Sequence, residues 1–144
     1  MDAITLLKED HRLFERLLKE GEDTTERAVK GRKELLARLT RELQAHEKIE
    51  EEIFYPALKQ HKKAKDIVLE GYQEHHVADL LVGELHEMDV TDERWGAKFK
   101  VLKESLEHHI EEEEDDMFKK ARQIFDEQDL VALGDEMRAL KKTA

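Results

Sequence analysis

A chain of 144 residues without a single cysteine has no means to form disulfides, iron–sulfur clusters, thiolate zinc sites or a cysteine nucleophile, so any metal must be held by nitrogen and oxygen. Its 36 acidic against 25 basic residues give a formal charge of −11, which repels phosphate backbones and anionic membranes and argues against nucleic acid as a partner. One proline, six glycines and 42% charged residues describe a helical chain able to bury one core, expected as a single domain over 1–144.

No apolar run approaches the roughly 18 residues of a membrane span. The N-terminus mixes Asp2, Glu9 and Asp10 into its first turns, unlike a signal peptide, so the expected address is the cytoplasm. Ser105 is the only serine, and no Gly-x-Gly-x-x-Gly or Walker-type loop occurs, which leaves acyl transfer and nucleotide chemistry without a foothold.

Asp2 is placed to cap a first helix running to about Gly21, with Ile4, Leu7, His11, Phe14 and Leu18 on one face. Gly21 to Thr25 reads as a loop, and Thr24 or Thr25 as the cap of a long second helix that ends near Pro56 or a turn beyond. On that helix Leu36, Leu39, Leu43, His46, Glu50, Ile53 and Ala57 step by three or four, so His46 and Glu50 stand where leucines belong. Gln60 to Lys65 is a polar connector. A third helix from about Asp66 to Met88 carries Val68, Tyr72, His75, Asp79, Val82 and either Leu85 or His86 at helical spacing. After a turn over Asp89 to Asp92, with Thr91 or Asp92 as cap, a fourth helix continues to about Phe125. It repeats the pattern with Trp95, Phe99, Leu102, Leu106, His109, Glu113 and Met117. A last segment from Asp129 to Lys142 puts Leu130, Leu133, Met137 and Leu140 on one face, fit to pack across the others as a cap.

The halves echo one another: His11 precedes His46 by 35 residues and His75 precedes His109 by 34. Long helices joined by short connections favour an all-α, antiparallel up-down-up-down four-helix bundle with a short C-terminal helix, in which side chains from different helices meet in the core. An approximate twofold would bring His11, His46, Glu50, His75, His109 and Glu113 together. A buried imidazole or carboxylate is costly unless compensated, and a metal ion is the natural compensator. A single His-x-x-x-Glu pair on an acidic chain is more often a solvent-facing ion pair, and a metal-free bundle would pair these groups with one another. Phase with the apolar stripe is what selects these six. His76 competes with His75, which has the more apolar row. His86 is expected behind the site or in the core, His61 and His108 in solvent, and Tyr72 close enough to donate a hydrogen bond or an electron.

Four histidines and two carboxylates suit iron, manganese, zinc or copper, and exceed what one tetrahedral zinc requires. Two ions bridged by Glu50 and Glu113 would leave coordination positions open for a small molecule such as dioxygen or nitric oxide. No histidine has a glutamate three residues before it, unlike the Glu-x-x-His of carboxylate-rich di-iron bundles.

Asp10-His11, His46-x-x-x-Glu50 followed by Ile-Phe-Tyr-Pro, Glu74-His75, and His109-x-x-x-Glu113 followed by Glu114 and Phe118 resemble the hemerythrin-like proteins with an HHE cation-binding domain, over about Ile4 to Arg122. The resemblance implies two iron ions, oxo- or hydroxo-bridged, with manganese or zinc as alternatives. It implies His11, His46, His75 and His109 as ligands, Glu50 and Glu113 as bridges, and Glu47 as an extra ligand in some members. Oxygen carriers of the family place a second histidine where Asp79 stands and end the fourth-helix motif in His-x-x-x-x-Asp, so this chain departs from them. The implied partner is a small diatomic or peroxide ligand, with a redox partner protein as a further candidate, in storage, sensing, detoxification, or peroxidase- or catalase-like or nitric-oxide chemistry.

Overall fold

The computed structural model describes residues 1–144, which form helices and the turns between them. Helix α1 (Ala3–Glu22) begins where Asp2, in extended conformation, accepts the Thr5 N–H at 2.7 Å, which satisfies one of the free donors of the first turn. Helix α2 (Val29–Ile49) starts later than a threonine cap would place it. The Thr24 hydroxyl instead donates to the Gly21 carbonyl at 2.7 Å and closes α1, while Thr25 accepts from Ala28 in a separate turn. Buried Arg32 ties this loop to the far one, donating to Thr24 Oγ1 and to the Val90 carbonyl, with its guanidinium 4.3 Å from the centroid of the Trp95 ring.

After Ile49 the helix widens through a π-helical turn, Glu50–Phe54, before α3 (Tyr55–Lys59); the Tyr55 N–H bonds the Glu50 carbonyl five residues back. Pro56 has no N–H, and its ring crowds the carbonyl four residues before it, so ordinary helical bonding fails at this point. The extra residue slips the phase. Phe54, Tyr55 and Leu58 are buried, while Ile53 and Ala57, expected on the inner stripe, are only half-buried.

Helix α4 (Lys65–Glu87) buries Val68, His75, Ala78, Val82 and Leu85. Two expectations are corrected here: Asp79 is exposed and Ala78 takes the inner position, and His86 is exposed, its Nε2 2.7 Å from Thr40 Oγ1, while Leu85 faces inward. Helix α5 (Trp95–Glu112) starts after Arg94, because Asp92 spends its carboxylate on the Arg94 N–H and guanidinium and caps nothing else. It too passes through a π-helical turn, Glu113–Met117, into α6 (Phe118–Ile124). The final α7 (Glu127–Lys141) opens with a capping box between Asp126 and Asp129. It packs on α1, and Gly134 permits the approach: a Cβ there would lie 2.4 Å from the Met1 carbonyl oxygen and 2.8 Å from the Ala3 nitrogen.

Two apolar clusters result. One joins Ile4 and Leu7 to Ile49, Phe54, Tyr55 and Leu58, Ala64, Val68, Met117, Phe118, Leu130 and Met137. The other joins Phe14, Leu17 and Leu18 to Leu36, Leu39 and Leu43, Ala78, Val82 and Leu85, Val90, and Trp95, Phe99, Leu102, Leu106 and Ile110 of α5. The start of α1 thus shares a cluster with the end of the α2–α3 run, the start of α4 and the end of the α5–α6 run. No helix is long and apolar enough to cross a membrane.

Candidate metal centre

Between the two clusters lies a layer of buried polar side chains: His11, His46, Glu50, His75, His109 and Glu113, none more than 5% exposed. All six sequence-predicted residues meet here, and His76, the rival of His75, is exposed. The layer has two halves. His11 Nε2 is 3.0 Å from Glu113 Oε1, and His46 Nε2 is 3.1 Å from Glu50 Oε1. Across the centre, His75 Nε2 is 3.0 Å from the same Glu50 oxygen, and His109 Nε2 is 3.4 Å from Glu113 Oε2. Each glutamate therefore faces one histidine from either half. Both glutamates are the first residues of their π-helical turns.

The outer nitrogen of every imidazole meets a carboxylate. His46 Nδ1 lies 2.9 Å from Asp10, His11 Nδ1 2.7 Å from Glu114, His75 Nδ1 2.8 Å from Glu51 and His109 Nδ1 2.6 Å from Glu74. A carboxylate on Nδ1 fixes the proton there and turns the Nε2 lone pair inward, the arrangement that orients and strengthens imidazole as a metal ligand. The partners are crossed: Asp10 adjoins His11 but serves His46, and Glu74 adjoins His75 but serves His109. Nothing in the sequence signals these roles, because in so acidic a chain a carboxylate near a histidine is unremarkable and the pairs join residues distant along the chain.

Without a cation the layer must hold protons instead. Burial alone would lower the His46 pKa, yet the neighbouring Glu50 and Asp10 carboxylates outweigh it and raise it to about 10. His75 is raised to about 9 against its own burial by Glu50 and Glu51. Burial works to raise the Glu113 pKa, but His109 and the bonds around it hold it well below the usual carboxylate range. Glu47, buried beside His46, is pushed up to about 8 by desolvation and its contact with Asp79, so it carries a proton near neutrality.

Tyr55 was not expected here. Its hydroxyl donates to Glu113 Oε2 at 2.5 Å and lies 3.4 Å from Glu50 Oε1 and 3.3 Å from His75 Nε2. Its ring stacks on His75, as Phe118 stacks on His11 in the other half. An unbroken α-helical phase would have turned Tyr55 away; only the Tyr-Pro step hinted at the slip. Tyr72, the expected donor, packs edge-on against Tyr55 with ring centroids 5.2 Å apart and makes no hydrogen bond to the six. His61 and His108 are exposed, as expected; His108 pairs with Glu112 and Glu74 at the surface.

The donor set fits a cation. His46 Nε2, His109 Nε2 and Glu50 Oε2 are buried without a hydrogen-bond partner, and all three belong to this layer. Glu50, His75, His109 and Glu113 converge closely enough to hold one ion, and His11, His46 and Glu113 another. Nitrogen and carboxylate oxygen without sulfur suit first-row metals.

Comparison with known proteins agrees. A solved hemerythrin HHE cation binding domain-containing protein from Mycobacterium kansasii is similar over 99% of this chain and 86% of its own, with 25% identity and a TM-score of 0.88. No curated protein matches the chain. The family model for the hemerythrin HHE cation binding domain matches residues 2–121, which spans the whole polar layer, and the chain belongs to that family.

Proposed function

We propose that this protein holds two iron ions in the polar layer, one at His11 and His46 and the other at His75 and His109, with Glu50 and Glu113 shared between them, and that it handles a small ligand: dioxygen, nitric oxide or peroxide. The observation that carries the reading is the convergence of both glutamates on histidines of both halves, with three inward-facing atoms left unpartnered. The same reading takes the four long helical runs as an antiparallel up-down-up-down bundle with α7 as an added short helix, supported by the way helix starts and ends share a cluster.

Iron would supply one-electron chemistry toward such ligands. The chain's own residues prepare the place. Four carboxylates hold protons on the outer imidazole nitrogens. The apolar clusters exclude water from above and below. Burial, with Glu113 and Glu50 nearby, raises the Tyr55 pKa well above its ordinary value, so this hydroxyl stays protonated and donates at the centre.

Metal analysis of protein purified without added metal, together with its near-ultraviolet and visible absorption, tests the assignment. About two irons per chain are expected, with loss of the absorption in His46→Ala and His109→Ala. A folded chain that takes up no metal even after anaerobic reconstitution with ferrous iron would sink it. Peroxide removal is rejected if metal-free and loaded protein consume hydrogen peroxide equally. A second reading, an iron- or oxygen-responsive interaction module without turnover, is favoured by Lys141, which joins the outermost helix to the site through Asp10. Equal proteolysis of iron-loaded and metal-free protein would count against it.

A further inference from the structure

The two halves match in their histidines, glutamates and outer carboxylates, but not in the charges behind them. Asp10, which holds His46, is bound by Lys141 from α7, and Glu114, which holds His11, is bound by Arg12. In the other half, Glu51 and Glu74 hold His75 and His109, and neither pairs with a lysine or arginine; Glu74 meets only the exposed His108, beside Glu112. The cations therefore all stand behind one half.

We infer that the two metal positions are inequivalent, and that the position at His75 and His109 binds a divalent cation first and more tightly than the one at His11 and His46. This rests on the metal-binding reading above. A carboxylate behind a histidine raises its strength as a ligand and adds negative field at the metal; a cation paired with that carboxylate withdraws both. Lys141 dominates the difference. Asp10 is nearly buried and Lys141 three-quarters so, whereas Arg12 is more than half exposed, shared with Glu15 and screened by solvent. Lys141 is thus a positioning residue acting through Asp10 and His46. It lies beyond residues 2–121, so a helix outside the matched family domain sets the balance within it.

The test is a titration of chelator-stripped full-length protein with Co²⁺ under anaerobic conditions, followed by calorimetry and by the visible bands of bound cobalt, with circular dichroism confirming that each variant is folded. Two steps separated by about tenfold or more in affinity are expected, the scale on which groups behind a ligand act. His75→Ala should remove the tight step and His11→Ala the weak one. Lys141→Met should strengthen the weak step and narrow the gap about tenfold, while Lys141→Arg should keep it. Two equal steps, the reverse order of loss, or an unchanged gap in Lys141→Met would overturn the inference. A weaker second step in Lys141→Met would also overturn it, by showing that the lysine supports Asp10 rather than tempering its charge. Two equal steps would leave the metal site itself standing, whereas no cobalt binding by folded wild-type protein would remove both readings.

Discussion

Four carboxylate–histidine pairs, two of them crossed, make cation binding in the polar layer sensitive to residues outside the inward-facing six. Replacing Glu74 by Leu removes the acceptor on His109 Nδ1 and leaves the ring free to turn. Metal affinity should fall about 10- to 100-fold with helix content unchanged, measured by competition with a chromophoric chelator. Protonation gives a second expectation at this scale. In metal-free protein His75 and His46 have folded pKa values of about 9 and about 10, raised above the roughly 6.5 of an unfolded histidine. Their contribution to stability is therefore complete below about pH 6.5 and is lost as pH rises through these values. Thermal unfolding of the metal-free form should occur at progressively lower temperature from about pH 7 to about pH 10, while the loaded form, whose metal replaces those protons, should change far less. A metal-free melting temperature that rises over this interval contradicts the assignment. At the residue scale the inward set was legible because histidine and glutamate kept phase with leucines. The outer carboxylates were not: a quarter of the chain is acidic, 36 of 144 residues, so an acid beside a histidine carries no signal.

The helices themselves carry the second layer of control. Both π-helical turns start on a glutamate of the layer, and wide turns of this kind recur at functional sites because they redirect side chains without ending the helix. Pro56 marks the first in the sequence, yet a period of about 3.6 carried through it puts Ile53 and Ala57 inside, where they are only half-buried; no comparable residue marks the second. The helix starts were misplaced for a related reason. Thr24, Thr25 and Asp92 bond within their own turns, an option that competes with capping and leaves no trace in composition. α7 offers the clearest test at this scale. Gly134→Val would drive side-chain atoms into the Met1–Ala3 backbone, which has no flexible end to yield. Partial undocking of α7 should cost about 1–3 kcal/mol, the range for overpacking, and lower the melting temperature by several degrees; an unchanged melting curve would show that α7 docks otherwise.

For the molecule as a whole, the layer divides the core in two, and the family could be recognised from the sequence because its motif is the layer. What composition could not reveal is how much of the stability depends on occupancy. A cation that binds only the folded chain stabilises it by about 2.7 kcal/mol at a hundred times its dissociation constant, for each independent site. Loading with ferrous iron under anaerobic conditions should therefore raise the melting temperature by about 9 °C for each site filled to that degree, at the roughly 3.3 °C per kcal/mol expected of a chain this long. An unaltered melting temperature at saturating metal would contradict binding to the native state. Because the net charge is −11, salt alone should also stabilise the metal-free form modestly by screening self-repulsion. The loading experiment is best done at fixed ionic strength.

Tyr55 and Phe118 hold corresponding places, one stacked on His75 and the other on His11, and they differ by a single oxygen. That atom gives the chamber a front and a back. A small molecule arriving between the two halves would find a hydroxyl on one side and a bare ring edge on the other, so its two ends would not be interchangeable. In a chemist's language the repeat supplies a nearly symmetric reagent and this one substitution desymmetrises it. Exchanging the pair, Tyr55→Phe with Phe118→Tyr, would turn the same chamber about its approximate twofold, the hydroxyl moving to the other half.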